Sequence, residues 1–126
     1  MSKKIISTKN APSAIGPYSQ AVKFSNLLFT SGMIPIDPIT GKLSIGDIVE
    51  QTDLVLKNLK ALIEDAGSSM ENVLKTTCYI NDMNDFSKMN EVYSKYFTSN
   101  FPARSCVEVS RLPKDVLIEM DCIVKT

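Results

Sequence analysis

The chain has 126 residues, the length of one ordinary domain, and we expect residues 1–126 to form a single domain with a core of its own. Its 14 basic and 14 acidic residues cancel without long runs of one sign, which argues against a nucleic-acid partner and against binding to an anionic membrane. The first residues lack the apolar segment of a signal peptide, so the expected compartment is the cytoplasm.

Histidine is absent from the chain, and this limits its chemistry. The three cysteines, Cys78, Cys106 and Cys122, include no Cys-x-x-Cys pair, so structural zinc is not expected. Ser-His-Asp and Cys-His nucleophile systems are excluded. Acid–base chemistry therefore falls to carboxylates, tyrosine, lysine or ordered water, and we expect no metal and no cofactor.

The first third of the chain predicts three strands. Residues 4–8 (KIIST) predict an edge strand, and residues 20–24 and 27–32 predict a hairpin whose turn is Ser25-Asn26. Prolines and glycine interrupt residues 33–43 too closely for a regular element, so this section is predicted to be a loop.

Residues 47–66 predict the first helix. Its apolar residues recur at steps of three and four: Val55, Leu59, Leu62, Ile63 and Ala66. Asp47 and Glu50 resemble a capping box at the start, and Gly67 is placed to end the helix.

A strand and a second helix follow. Residues 72–80 (NVLKTTCYI) predict a half-buried strand with one face formed by Leu74, Thr76, Cys78 and Ile80. Residues 85–98 predict a helix with an apolar stripe formed by Phe86, Met89, Tyr93, Tyr96 and Phe97. Asn90 shares the inward side of this stripe, so its amide needs either structural partners or the polar atoms of a ligand.

Two closing strands are predicted over residues 103–109 and 115–124. In the first, Arg104, Cys106 and Glu108 share a face. In the second, one face is formed by Val116, Ile118, Met120, Cys122 and Val124. The resulting order, β-β-β-α-β-α-β-β, predicts an α+β fold in which two helices pack on one face of a mixed sheet.

Four segments carry a resemblance that extends over nearly the whole chain: APSAIGPYSQAV, LLFTSGMIPIDPITGKL, KTTCYINDMNDFSKMNEVYSKYF and FPARSCVEVSRLPKDVLIEMDCIV. Together they resemble the RidA family, the reactive intermediate deaminases also called YjgF-like proteins. The resemblance implies a chorismate-mutase-like fold assembled as a homotrimer, with ligand clefts between neighbouring subunits. It also implies hydrolysis of enamines and imines, such as 2-aminoacrylate, 2-iminopropanoate and 2-iminobutanoate, to 2-keto acids and ammonia.

The resemblance assigns catalytic roles to three residues. Arg104 in the segment PARS corresponds to the arginine that binds the substrate carboxylate, for which a planar guanidinium offers two parallel hydrogen bonds. Glu119 corresponds to a glutamate near the cleft that orients water or passes a proton, and Tyr18 to a tyrosine at the substrate's edge. From the residues alone, a salt bridge from Arg104 to Glu108 or Glu119 is the commoner arrangement, and a solvated Glu119 and a core-capping Tyr18 are the alternatives.

Further ligand contacts are implied at Ser31, Gly32, Asn90 and Cys106. Small residues at positions 31 and 32 let a ligand reach main-chain N–H groups, although a Ser-Gly pair at a strand end is also an ordinary turn. Cys106 is expected to line the pocket beside Arg104 but not to act as a nucleophile, because no histidine activates it. The family usually has glutamine where this chain has Met33, which puts the polarity of the pocket and the substrate range in question.

Hydrolytic deamination of small 2-imino acids is the expected function. A second hypothesis is a non-catalytic module that binds a small carboxylate metabolite, such as a 2-keto acid, in the same cleft and regulates a partner. RNA cleavage is disfavoured by the balanced charge and the missing histidines. A thiol-dependent or stress-induced holdase is a further alternative.

Overall fold

The computed structural model describes residues 2–126. The strands are β1 (Lys4–Ile6), β2 (Ala21–Phe24), β3 (Leu27–Thr30), β4 (Val73–Ile80), β5 (Ala103–Glu108) and β6 (Ile118–Lys125), and the helices are α1 (Ile48–Asp65) and α2 (Phe86–Tyr96). The six strands form one sheet in the order β1-β2-β3-β6-β4-β5. This confirms the predicted element order, and neither helix is long and apolar enough to cross a bilayer.

The sheet is mixed, as predicted. β4 and β5 pair in parallel, whereas the other neighbours are antiparallel. A parallel pair needs a crossover connection, which α2 supplies between β4 and β5. β5 therefore lies at one edge of the sheet, beside α2, and this edge carries Arg104.

The core lies between the helices and one face of the sheet. The alternation predicted for the last strand is confirmed by its buried residues: Ile118, Met120, Cys122 and Val124. Leu56, Leu59 and Leu62 of α1 are fully buried with them. Each such side chain contributes roughly 1.5–3 kcal/mol of transfer free energy, which makes this layer the main source of stability.

α1 begins and ends at the predicted residues. The Asp47 carboxylate accepts a 3.0 Å hydrogen bond from the Glu50 N–H, which satisfies one of the free donors of the first turn. At the other end, Gly67 has φ +89°. Its N–H donates to the Glu64 carbonyl and the Ser68 N–H donates to the Ile63 carbonyl, the pairing of a Schellman motif that favours glycine.

The predicted face of β4 is wrong at its first residue. The pairing of β4 with β6 shifts register between Val73 and Lys75. As a result Val73 is buried, whereas Leu74 is 47% exposed, while Thr76, Cys78 and Ile80 are buried as predicted. A β-bulge inserts one residue and reverses the alternation before it, so strand periodicity alone places Leu74 on the wrong face.

The sheet face without helices carries an apolar row. Ile5, Val22, Phe29 and Ile123 are successive cross-strand partners on β1, β2, β3 and β6. Ile5 is 51% and Phe29 42% exposed. An antiparallel sheet that faces water usually carries polar residues on that side, so this row marks a surface suited to packing against another molecule.

Candidate functional site

Arg104 lies at the centre of a first group of candidate residues, which we call the arginine cluster: Phe86, Asn90, Tyr93, Arg104 and Cys106. The side chain of Arg104 projects from β5 toward α2 and is partly buried. Its Nη1 donates a 2.7 Å hydrogen bond to Asn90 Oδ1. The guanidinium carbon lies 4.8 Å from the centroid of the Tyr93 ring and 5.4 Å from that of Phe86, distances at which cation–π attraction operates.

No carboxylate pairs with Arg104 among residues 2–126. The one ion pair within these residues joins Arg111 to Asp115 at 2.7 Å. Glu108 instead accepts a 2.8 Å hydrogen bond from the Met83 N–H. The salt bridge to Glu108 or Glu119 is therefore not formed, and Arg104 keeps a full charge beside a neutral amide and two rings.

Tyr93 is fixed from behind by a buried hydrogen bond. Its hydroxyl lies 2.8 Å from Thr76 Oγ1 on β4, and the Thr76 side chain is fully buried. Thr76 is the neighbour of Arg104 across the parallel pair of strands. The ring that supports the guanidinium is thus held by the same strand that holds the Arg104 backbone.

The cysteines of this region favour the protonated thiol. Burial raises the pKa of Cys106, and the nearby Arg104 charge offsets only part of this effect. Cys78, the cross-strand neighbour of Cys106, has its pKa raised to about 12, mainly by burial. Because the thiolate is the reactive form, these values disfavour Cys106 as a nucleophile.

A second group, which we call the glutamate cluster, consists of Tyr18, Ser31, Gly32 and Glu119. These four residues line one open cavity of about 440 Å³ together with Ile15, Ile34 and Pro113. Glu119 lies on the residues of β6 that alternate with the buried ones, so the cavity opens on the sheet face without helices.

The absence of a side chain at Gly32 makes room for the Glu119 carboxylate. A Cβ atom placed on Gly32 would lie 2.2 Å from Glu119 Oε2, far inside van der Waals contact. Burial, and then the negative charge of Asp121, raises the pKa of Glu119. A carboxyl group with a raised pKa exchanges protons closer to neutrality, as acid–base chemistry requires.

The hydrogen bonds of Tyr18 and Ser31 limit what each can offer a ligand. The Tyr18 hydroxyl oxygen accepts a 3.2 Å hydrogen bond from the Ile15 N–H, which leaves its proton free to donate. The Ser31 hydroxyl donates to the Ser19 carbonyl at 2.6 Å, and the Ser31 N–H donates to the Gln20 carbonyl at 3.0 Å. Both protons of Ser31 are therefore committed to the fold, and only its hydroxyl lone pairs remain.

Met33 is buried and does not line the 440 Å³ cavity. Its N–H and carbonyl both pair with the main chain of Met120. Its thioether belongs to the core, so its effect on the cavity acts through packing and not through direct contact with a ligand.

One chain does not bring the two clusters together. Arg104 projects toward the helices and Glu119 projects to the opposite face of the sheet. β4 also lies between β5 and β6, so their backbones are separated by two strand spacings, about 10 Å. Sequence reasoning did not find Ile15, Ile34, Pro113 or Thr76, whose only signal was proximity to the motif residues.

Comparisons with known proteins identify the family. The family model described as endoribonuclease L-PSP matches residues 8–126. A RutC family protein of Pyrococcus abyssi is 59% identical over 123 residues, covering 98% of this chain and 97% of that protein. The structure of E. coli TdcF with bound serine has 46% identity and a TM-score of 0.93, covering 98% of each chain.

The E. coli YjgF structure has 47% identity and a TM-score of 0.93, covering 97% of this chain and 98% of that one. Both the match to the family model and these identities extend over almost the whole length of the chain. The chain therefore belongs to the RidA, or YjgF-like, family.

Proposed function

We propose that the protein hydrolyses 2-imino acids, including 2-iminopropanoate and 2-iminobutanoate, to 2-keto acids and ammonia. The observation that carries the proposal is the partly buried Arg104 cation, which has a neutral amide and two aromatic rings beside it and no carboxylate. A guanidinium held in this way is ready for the carboxylate that every 2-imino acid carries.

The serine bound to E. coli TdcF supports a ligand of this kind. Serine has an α-carboxylate and an α-nitrogen, the two groups that a 2-imino acid also presents. Given 46% identity and a TM-score of 0.93, a similar small ligand fits the proposed role of this chain.

The separation of the two clusters supports a site between neighbouring copies of the chain. The arginine cluster of one copy would face the glutamate cluster of the next, as in the homotrimer implied by the family. The exposed apolar row of Ile5, Val22, Phe29 and Ile123 supplies a surface that such an assembly would cover.

In the proposed reaction Arg104 binds the carboxylate and the free proton of Tyr18 hydrogen-bonds to the substrate. Glu119 accepts a proton from water as its oxygen attacks the C=N carbon, and returns the proton to nitrogen as the C–N bond breaks. One imine and one water thus give one keto acid and one ammonia. Imines already hydrolyse in water, so a general acid–base contribution of about 10²–10⁴-fold is sufficient.

The test follows imines generated by an amino-acid oxidase and trapped with semicarbazide. Wild type should suppress trapping, Arg104→Ala should not, and Arg111→Ala should behave as wild type because Arg111 is exposed and paired with Asp115. If folded Arg104→Ala clears imines as fast as wild type, the proposed role of Arg104 is wrong.

Mixing two inactive variants tests the site between copies. Arg104→Ala and Glu119→Gln chains, unfolded together and refolded in equal amounts, should regain about one quarter of the wild-type sites, those formed by the intact halves of two neighbours. If both clusters of one chain formed the site, mixing would restore nothing.

The second candidate function is a binding module, and the serine in the TdcF structure favours it, because serine is an amino acid and not an imine. Under this alternative a 2-keto or amino acid would bind in a saturable manner that depends on Arg104, with no acceleration of imine loss.

A further inference from the structure

The cavity of the glutamate cluster is mostly apolar beyond its polar group. Ile15, Ile34 and Pro113 contribute aliphatic surface to its wall, and Glu119 is the one charged residue that lines it within residues 2–126. Under the proposed function the substrate carboxylate lies at Arg104 and its C=N carbon at Glu119. The remaining group of the substrate, its side chain, then faces this aliphatic wall.

Ile15 is the most exposed aliphatic residue of this wall that lies on a loop. Its side chain is 55% exposed, whereas Ile34 is 8% exposed and belongs to a small core with Ile36, Leu112 and Val116. The Ile15 N–H donates to the Tyr18 hydroxyl, and the Tyr18 N–H donates to the Gly16 carbonyl at 2.8 Å. These bonds hold Ile15 beside the residue that would contact the substrate.

Ile15 also separates two cavities of different charge. It lines the 440 Å³ cavity with Glu119 and a neighbouring groove of about 480 Å³ that contains Lys114 and Asp37. Lys114 does not line the cavity of Glu119. A negative side chain in that cavity would therefore meet the Glu119 carboxylate without a cation to balance it.

We propose that Ile15 is a specificity-determining residue and selects imines with uncharged aliphatic side chains. The inference rests on the proposed function and names its substrate class. An aliphatic side chain packs on Ile15 and Ile34 and removes their surface from water, whereas the carboxylate of an acidic side chain is repelled. One buried methylene in such a pocket changes discrimination by roughly 10–200-fold in favourable cases.

The experiment compares the clearance of three imines by the full-length protein: those of alanine and leucine, made by an amino-acid oxidase, and iminosuccinate, made by an aspartate oxidase. Ile15→Ala should lower the leucine-to-alanine clearance ratio about tenfold, and Ile15→Val should restore most of it. Ile15→Lys should raise iminosuccinate clearance relative to leucine imine about tenfold. Ile45→Ala, which changes a fully exposed isoleucine on another loop, is the control and should leave both ratios unchanged.

Ratios that stay constant in every Ile15 variant, even if all rates fall together, would overturn the inference and leave the proposed function standing. If wild type clears no imine, the proposed function fails, and calorimetric titration with pyruvate, 4-methyl-2-oxopentanoate and oxaloacetate then tests Ile15 without turnover. A binding preference for 4-methyl-2-oxopentanoate that Ile15→Ala abolishes supports the inference; equal binding of the three acids overturns it.

Discussion

Asn90 holds Arg104 by its amide oxygen, which accepts a 2.7 Å hydrogen bond from the guanidinium Nη1. The acceptor is neutral, so it orients the cation without cancelling its charge. The two aromatic rings of the cluster act in the same way, since the faces of Tyr93 and Phe86 attract the guanidinium and still leave it unpaired. The pair is an arrangement for presenting a charge to an anion.

Asn90→Asp should weaken anion binding while preserving the fold. A carboxylate at position 90 would form an ion pair with Arg104 and compete with the ligand, and a charge-assisted hydrogen bond contributes about 1.5–3 kcal/mol, so the Kd for 2-oxobutanoate should rise by about 10–100-fold. Calorimetric titration measures the Kd, and urea unfolding checks the fold. Asn84→Asp adds the same charge at an exposed position and is the control. Unchanged affinity in Asn90→Asp would show that Arg104 does not bind the carboxylate.

Gly32→Ala should reduce imine clearance by at least about tenfold with little loss of stability. The new Cβ would lie 2.2 Å from Glu119 Oε2, so the flexible end of the glutamate must move away from the reacting position. Gly16→Ala is the matched control, because a Cβ there meets the Tyr18 ring at 3.5 Å, an ordinary contact. The semicarbazide assay and thermal unfolding measure both properties. Full activity in Gly32→Ala would mean that the position of Glu119 is unimportant.

Glu119→Gln should flatten the pH dependence of stability. Burial and Asp121 raise the pKa of Glu119, so the folded state holds this proton more tightly than the unfolded chain. The resulting stabilisation is complete below the unfolded pKa, about 4.3, and is lost as pH rises through the folded pKa. Wild type should therefore lose more unfolding free energy than Glu119→Gln over this window.

Urea unfolding at fixed protein concentration, in steps from about pH 4 to about pH 7, measures this difference. Burial also raises the pKa of Asp121, which leaves some dependence in the variant. Glu64→Gln removes a charge from an exposed position and is the control. Coincident curves for wild type and Glu119→Gln would contradict the prediction.

The hydrogen bond between Thr76 and Tyr93 should appear as coupling in a double-mutant cycle. Thr76→Val or Tyr93→Phe alone leaves a buried hydroxyl without its partner and should destabilise by about 1–3 kcal/mol. The double variant should lose less than the sum of the two, which urea unfolding of all four proteins measures. Strict additivity would mean that each hydroxyl finds another partner. Tyr93→Phe keeps the ring beside Arg104, so keto-acid binding should persist in this variant.

The fold could be predicted from the sequence wherever local periodicity and end signals agree. The alternation of β6 and the caps of α1 at Asp47 and Gly67 are examples, because each depends on residues close in the chain. Leu74 was misplaced because a bulge depends on pairing with β6, about 50 residues away, and strand periodicity contains no information about it.

The site was predictable as a set of residues but not as a geometry. The stripe of α2 put Asn90 on the inward side, yet periodicity names a face and not a partner, and the partner proved to be Arg104. The separation of Arg104 from Glu119 depends on β4 lying between their strands, and strand order is a long-range property that neither motif contains.

The edge position of β5 has a consequence for regulation. Arg104 stands on a strand with one free side, and Glu119 stands on the other face of the sheet. If a neighbour completes each site, catalytic competence depends on protein concentration, and dilution below the association constant switches clearance off although every chain stays folded. The amount of protein in the cell would then act as a threshold, so that activity rises more steeply than expression.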